Sequence, residues 1–366
     1  MASVAKKRLA LLMSTEVGLR TQYLNWREHF PRDCGIEPVW IVMDFWKEGG
    51  LIERLPLPGG VRGRIRGQME VAAALRQGPF DGIFIAVHSA LALFAGVLDR
   101  TPCFMTFDVT PKQLHAFGPI YDKAPSRFAA LERLKHRRRA LAYQKCKLLF
   151  PWSRWAASSA VSDYGAEPGR IHVMPPGVDL ARWLPGDRFE RAAKTVCDLL
   201  FVGGDFERKG GPKLLEWARR SPRQDFRLHL VTREKLDPKD ERIRIYNGLM
   251  PNDPQLVALY ESADAFVLPT MADCYSLAGI EAMASGLPVI LTETGGTGDV
   301  IRDGETGFLL RVGDDAALGR ALDTLIDDPD LRLRMGRAAR ADAERRYDAG
   351  ANIRETVALM AKAMGA

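Results

Sequence analysis

In VGGDFERKGGPKLLEWARR, residues 202–220, two glycines are followed by Arg208 and Lys209, then by Gly210 and Gly211 ahead of a helix that starts near Pro212. Glycines let a backbone approach an anion, a helix amino terminus offers unpaired N–H groups, and adjacent cations neutralise a diphosphate. Gly203, Gly204, Arg208 and Lys209 therefore form a candidate phosphate site; a tight turn with solvated charges is the competing reading. The loop is neither a Walker loop nor the dinucleotide fingerprint, since G-x-x-x-x-G-K-[ST] and a strand-linked G-x-G-x-x-G are both missing. A second segment, DAFVLPTMADCYSLAGIEAMASGLPVILTETGG (264–296), places Asp273 in a loop and Glu281 on a helix of small residues. Glu281 shares its helix face with Leu277, Ala284 and Ser285, where an unpaired carboxylate is costly and sugar or ribose hydroxyls would supply partners. Between the carboxylates, Cys274, Tyr275, Ser276 and Leu277 fall at the helix amino terminus, whose amides and dipole can stabilise an oxygen gaining negative charge. Departure of a nucleoside diphosphate needs that. A helix with an exposed Glu and a capping Asp is the alternative.

These residues need strand ends to carry them. Short apolar runs, RLALLMS (8–14), PVWIVM (38–43), FDGIFIAV (80–87), PCFMTF (102–107) and KLLFP (147–151), read as buried parallel strands. A second series follows in CDLLFV (197–202), FRLHLV (226–231), DAFVLP (264–269), PVILT (288–292) and GFLL (307–310), with helical spacing between the runs. Two such alternations imply an α/β chain of two doubly wound parallel-sheet domains. The turn-rich MPPGVDLARWLPGD (174–187) marks the junction. The expected domains are an acceptor-side domain over 1–180 and a nucleotide-sugar-binding domain over 181–345. A terminal helix over 346–366 would pack back on the first. Ligands of open parallel sheets bind at strand carboxyl ends, so the chemistry belongs in strand-to-helix loops of two domains facing across a cleft.

Several classes drop out on composition. A chain of 366 residues is long for a single core and comfortable for two. The five cysteines, Cys34, Cys103, Cys146, Cys197 and Cys274, are scattered without C-x-x-C pairs, which fits reduced thiols in a cytoplasm. The basic start before Leu9–Met13 superficially resembles a signal peptide, but the apolar run is short and a buried first strand is expected. No run approaches the roughly 18 apolar residues of a membrane span.

The two segments together resemble the retaining glycosyltransferases of family 4, which share the GT-B fold of two Rossmann-like domains. In that family a carboxylate, seven residues and a glutamate precede A-M-A-x-G-x-P-V; here the run is Asp273 to Glu281, then AMASGLPV. The R-K-G at 208–210, a G-G-x-x-[DE] turn at Gly295, Gly296 and Asp299, and D-G-x-T-G-x-L at 303–309 follow in family order. The strong resemblance covers about residues 170–348. It implies that Arg208 and Lys209 hold the donor diphosphate, Glu281 the ribose and Asp273 the hydroxyls of the transferred sugar. Backbone around Tyr246 to Met250, with Tyr246 and Leu249, would border the base. The family usually has Arg after the first loop glycine, where this chain has Gly204, so one cation is missing unless Arg208 compensates. Asp273 replaces the usual Glu, a shorter reach that bears on which sugar fits. In the first half, Gly18 falls where the family brings a backbone amide to the donor phosphates, with a plain turn as the alternative. FDVTPKQLHAFGPIY (107–121) looks like a D-x-T-P-x-Q branch, in which Asp108 would orient the acceptor or line the reacting face; a turn-capping Asp is the alternative.

The implied function is transfer of a hexosyl group from a nucleotide-diphosphate sugar, with retention, to a glycan, lipid-linked or small-molecule acceptor. The sugar nucleotide is a substrate, and no cofactor and no metal are expected. The only D-x-D, Asp328 to Asp330, sits in a link between two late helices, which argues against a metal-dependent GT-A site. Alternatives are a non-catalytic sugar-nucleotide binder and a GT-B phosphorylase or epimerase. Residues 1–180 hold 25 Lys+Arg against 16 Asp+Glu, while the rest holds 27 against 30, so an anionic partner of the first half is expected. RFAALERLKHRRRALAYQKCKLLF (127–150) concentrates that charge and suggests peripheral contact with an anionic membrane, at the inner face of a cytoplasmic membrane, or with a lipid diphosphate. A solvated basic helix is the competing reading. No recognised nucleic-acid module accompanies it.

Overall fold

The computed structural model describes residues 6–15, 19–43, 50–57, 59–86, 99–121, 129–192 and 194–365. Two compact units emerge, one made of Met1–Ala116, Ala124–Pro176 and Gly350–Ala366, the other of Phe117–Lys123 and Gly177–Ala349. The short piece Phe117–Lys123 thus groups with the second unit although the sequence order places it amid the first.

The first unit runs β1 (Lys7–Ser14), α1 (Arg20–His29), β2 (Ile36–Met43), α2 (Gly59–Leu75), β3 (Gly82–Ile85), β4 (Cys103–Phe107), α3 (Pro111–Ala116), α4 (Ala129–Lys145), β5 (Leu148–Pro151) and α5 (Arg154–Ser162). Its five strands are all parallel in the order β2-β1-β3-β4-β5. Parallel strands need crossover connections, which put helices on the sheet faces and bury the strands on both sides. Hence Leu9 to Met13 reads as an unbroken apolar run and Cys103 to Phe107 as one interrupted only by Thr106, and both are buried throughout. Tyr143 of α4 and Tyr164 just beyond α5 stack at 4.6 Å over this core. Ser153 starts α5 by accepting a 3.1 Å hydrogen bond from the Ala156 amide, a favourable amino-terminal cap.

The second unit runs β6 (Cys197–Val202), α6 (Gly211–Arg220), β7 (Phe226–Val231), β8 (Ile243–Tyr246), α7 (Pro254–Ser262), β9 (Ala265–Leu268), α8 (Leu277–Ala284), β10 (Val289–Thr292), β11 (Gly307–Leu310), α9 (Asp315–Asp327) and α10 (Pro329–Arg346). The six strands are parallel in the order β11-β10-β9-β6-β7-β8. The chain begins at β6, winds outward to β8, then returns to β9 on the other side of β6. The sheet's topological switch therefore lies between β6 and β9, where the following loops diverge and leave a crevice. β8 is the strand absent from the apolar runs; its IRIY alternates and stands half-buried at the sheet edge, so no continuous apolar signal marks it. Asp328 of the D-x-D caps α10 by accepting a 2.7 Å hydrogen bond from the Leu331 amide.

The last helix, α11 (Ala349–Met364), groups from Gly350 onward with the first unit, where Asn352 donates to the Pro175 carbonyl at 3.0 Å. No helix among the described residues is long and apolar enough to cross a membrane.

Candidate active site

The loop leaving β6 is a cation-bearing turn clamped to the end of β9. Gly203 donates to the Val231 carbonyl at 2.9 Å, and Asp205 accepts the Arg208 amide at 3.1 Å. Gly210 then turns the chain with φ +81, a backbone region in which glycine has no Cβ penalty. A Cβ there would collide with the Pro269 carbonyl oxygen after β9, so the close approach of the two loops also requires glycine. The Arg208 carbonyl accepts from the Met271 amide at 2.9 Å and from the Thr270 hydroxyl at 3.2 Å. α6 starts without a capping side chain; Pro212 has no N–H, and the Gly211 and Lys213 amides donate to the Phe206 and Gly210 carbonyls at 2.9 and 3.1 Å.

Both predicted cations lie in this crevice, and each has a partner. Lys209 pairs with the Asp273 carboxylate, both side chains being largely buried. Arg208 donates from Nε to Asp205 at 2.9 Å and from Nη1 to the Ala272 carbonyl at 2.9 Å. Its Nη1 also reaches the Tyr121 hydroxyl at 3.1 Å, and its guanidinium lies 4.7 Å from that ring's centroid. Tyr121, in the piece Phe117–Lys123, also contacts Cys274 Sγ at 3.7 Å. Sequence reasoning stopped at Tyr121 as the end of a motif; its seat beside Arg208 is a tertiary fact.

Asp273 is 5% exposed. Its backbone is backed by the G-G turn: Gly295 has φ +57, a Cβ there would collide with the Asp273 carbonyl oxygen, and the Gly296 amide donates to the Cys274 carbonyl at 3.0 Å. Cys274 and Tyr275 are buried, the latter beside Tyr347. Ser276 is the amino-terminal cap of α8, its hydroxyl accepting the Gly279 amide at 3.1 Å, so the helix proper begins at Leu277. The first-turn amides of Leu277 and Ala278 have no hydrogen-bond partner among the described residues. Asp273, in the loop between β9 and α8, thus shortly precedes these first-turn amides of α8.

Glu281 lies one turn further into α8, 6% exposed. Burial pushes its carboxyl up to about 7, against the opposing pull of a 3.0 Å hydrogen bond donated by Tyr260 of α7. Tyr260 is a partner that the sequence did not disclose, because α7 shows only that this Tyr faces inward. Tyr246 ends β8, two strands from β6, and Leu249 lies just beyond it. The Tyr246 hydroxyl bonds His229 Nδ1 at 3.0 Å, and His229 Nε2 bonds Asp198 at 2.9 Å. Burial would raise the Asp198 carboxyl, but His229 and Lys194 outweigh it and hold it at about 2. Asn247 donates to the carbonyls of Thr232 and Glu234, each at 2.8 Å, which binds the loop after β8 to the loop after β7.

The second unit therefore assembles Gly203, Gly204, Arg208, Lys209, Asp273, Cys274, Tyr275, Ser276, Leu277 and Glu281 at and beside the β6/β9 crevice. Asp108 stands immediately after β4, half-buried, in the first unit. Gly18 lies outside the described residues.

Comparison with known proteins bears on this geometry. Residues 187–342 match the family model described as glycosyl transferases group 1. Similar proteins include the D-inositol 3-phosphate glycosyltransferases of Pseudarthrobacter chlorophenolicus, 35% identical over 208 residues (51% of this chain and 49% of that protein), and Nocardia farcinica, 35% identical over 211 residues (51% and 46%). The chain spans about half the length of these curated relatives. Among solved structures, sucrose-phosphate synthase from Thermosynechococcus elongatus superposes with a TM-score of 0.76 at 16% identity, covering 98% of this chain and 100% of that one. Anabaena HepE in complex with UDP-glucose gives 0.70 at 16% identity, covering 97% and 99%. At such identities the likeness shows the fold, which is GT-B.

Proposed function

Taking as premise that residues 187–342 belong to the group 1 glycosyl transferases, we propose that the chain transfers a hexosyl group from a nucleoside-diphosphate sugar to a glycan, lipid-linked or small-molecule acceptor, with retention and without a metal ion. The observation that carries the proposal is the Lys209–Asp273 pair in the β6/β9 crevice, between the Gly210 turn ahead of α6 and the first turn of α8. An anionic phosphate competes for Lys209 while sugar hydroxyls donate to Asp273, so one ligand carrying both groups satisfies both partners. As the bond to the sugar's anomeric carbon breaks, charge grows on the departing phosphate oxygen, where Lys209 and helix-terminal amides stabilise it without reorganising. The acceptor oxygen attacks from the face the phosphate leaves, and its proton passes to the departing diphosphate. No side-chain nucleophile is required. Glu281 accepts from ribose hydroxyls, and Asp108 serves the acceptor side.

The test is consumption of nucleotide sugars (uridine, guanosine and adenosine diphosphate sugars) across an acceptor panel, read by mass spectrometry. Lys209→Met and Asp273→Asn, singly and together, are the controls. Removing one member of a largely buried pair leaves its partner's charge unpaired, so the double variant keeps the fold while losing transfer. Turnover in the double variant near that of the wild type would overturn the assignment. Donor binding without consumption in any combination would favour the non-catalytic reading, to which Gly204 and Asp273 give weight.

Contact with an anionic membrane is a further part of the proposal. In α4, Arg133, Arg137 and Arg138 are exposed together with Leu134 and Leu141, a pairing of cations and apolar side chains suited to an interfacial surface. Co-sedimentation with phosphatidylglycerol vesicles that is lost at high salt supports it; no binding at low salt sinks it.

A further inference from the structure

Gly204 leaves the loop after β6 without a side chain, and a cation from another loop lies against it. A Cβ built on Gly204 would stand 2.9 Å from Arg233 Nε and 3.4 Å from its Cζ and Nη2. Arg233 Nε donates to the Gly204 carbonyl at 3.0 Å. The preceding glycine is closed in by apolar atoms: a Cβ on Gly203 would stand 2.8 Å from the Phe201 ring and 2.9 Å from Lys209 Cβ. Of the two consecutive bare residues, Gly204 is thus the one that faces a guanidinium.

The placement of Arg233 is braced from both sides. Asn247 holds the carbonyls of its neighbours Thr232 and Glu234, and the Glu234 carboxylate accepts the Phe206 amide at 3.0 Å, tying the loop after β7 to the loop after β6. The commitments of the three cations differ. Arg208 is engaged by Asp205, the Ala272 carbonyl and Tyr121, and Lys209 by Asp273. Arg233 is exposed, has no carboxylate partner among the described residues, and keeps both Nη groups without a hydrogen bond among them.

We propose that Arg233 is the second phosphate-binding cation of the site, supplied by the loop after β7 in the place that Gly204 leaves open. The inference rests on the reading of this crevice as a nucleoside-diphosphate site and adds to it a residue outside its sequence motifs. A guanidinium suits the task because it stays charged and offers a planar fork to phosphate oxygens. Its single bond through Nε aligns it without consuming that fork. Gly204 is then a requirement of the arrangement, since any side chain there displaces Arg233.

The experiment is calorimetric titration of the full chain with UDP, GDP and ADP, followed by the monophosphate and nucleoside of whichever binds most tightly. Arg233→Ala weakens the diphosphate about tenfold, the size of one charge-assisted hydrogen bond, weakens the monophosphate less and leaves the nucleoside unchanged. Arg233→Lys restores part of the loss. Gly204→Ala reproduces the loss, and the two together lose no more than either alone, because both remove the same contact. Arg233 is exposed, so its variants melt as the wild type does. Wild-type diphosphate affinity in Arg233→Ala, with binding lost in Lys209→Met, overturns the inference and leaves the site reading standing. Wild-type affinity in Lys209→Met, or no nucleotide bound by the unaltered chain, overturns both.

Discussion

Glu281→Gln replaces a buried carboxyl by a neutral group of the same shape, and its effect on stability depends on pH in a direction fixed by the structure. With the carboxyl pushed from 4.5 up to about 7, both folded and unfolded chains hold its proton below pH 4.5. Between 4.5 and 7 the unfolded chain releases the proton first, so stability falls as pH rises through that window, and above 7 the full difference is lost. Moving an ionisation from 4.5 to about 7 corresponds to about 3 kcal/mol at 1.36 kcal/mol per pH unit. The Gln variant still accepts the Tyr260 hydroxyl and escapes this penalty. Urea denaturation of both proteins at pH 5, 6, 7 and 8 is the assay. The variant should exceed the wild type by only about 1 kcal/mol near pH 5 and by about 3 kcal/mol at pH 8. A stability difference that stays flat over this range refutes the desolvation argument. Ribose hydroxyls donating to the carboxylate favour its charged form. Nucleoside binding near pH 6 should therefore release a proton, seen as a buffer-dependent enthalpy, and the Gln variant should release none.

Three other outcomes follow from the geometry. Arg188, buried and pushed down to about 10 by that burial and by Arg191, donates to carbonyls at the ends of α7 and α8, including Tyr260 at 2.7 Å and Ser285 at 3.0 Å. Arg188→Met should cost about 3 kcal/mol in urea denaturation, since several buried carbonyls lose their donors. Gly210→Ala forces a side chain into φ +81 against the Pro269 carbonyl, and should lower stability by about 2 kcal/mol and weaken nucleotide binding together. Tyr121→Phe removes the hydroxyl that reaches Arg208 and Cys274 while keeping the ring; binding of a nucleoside diphosphate should weaken only several-fold, about 1 kcal/mol. An unchanged affinity would make Tyr121 a packing residue.

Among the described residues, ten of eleven strands announce themselves in the sequence as apolar runs, the central ones because helices covering the sheet faces bury them on both sides. β8, also at a sheet edge, escapes because its IRIY alternates apolar residues with Arg244 and so forms no apolar run. The motif residues were legible for a related reason. Gly210 and Gly295 are the residue types that positive φ and close backbone approach demand, and the carboxylate at 273 and the cations at 208 and 209 sit in strand-end loops that the alternation of strands and helices already located.

By itself the sequence determined the fold class, the strands that frame the crevice and the residues of the loops after β6 and β9, because those depend on local periodicity and backbone chemistry. Only the tertiary structure decided how the side chains are spent. Lys209 is paired with Asp273, Arg208 is held by Tyr121 and the Ala272 carbonyl, and Glu281 meets Tyr260 across helices. Arg233 lies beside Gly204 although 29 positions separate them. Such pairings join segments distant along the chain, and no spacing in the sequence encodes them. They arise because parallel strands bring loops from remote positions to one edge of the sheet, where charge and burial settle which groups meet.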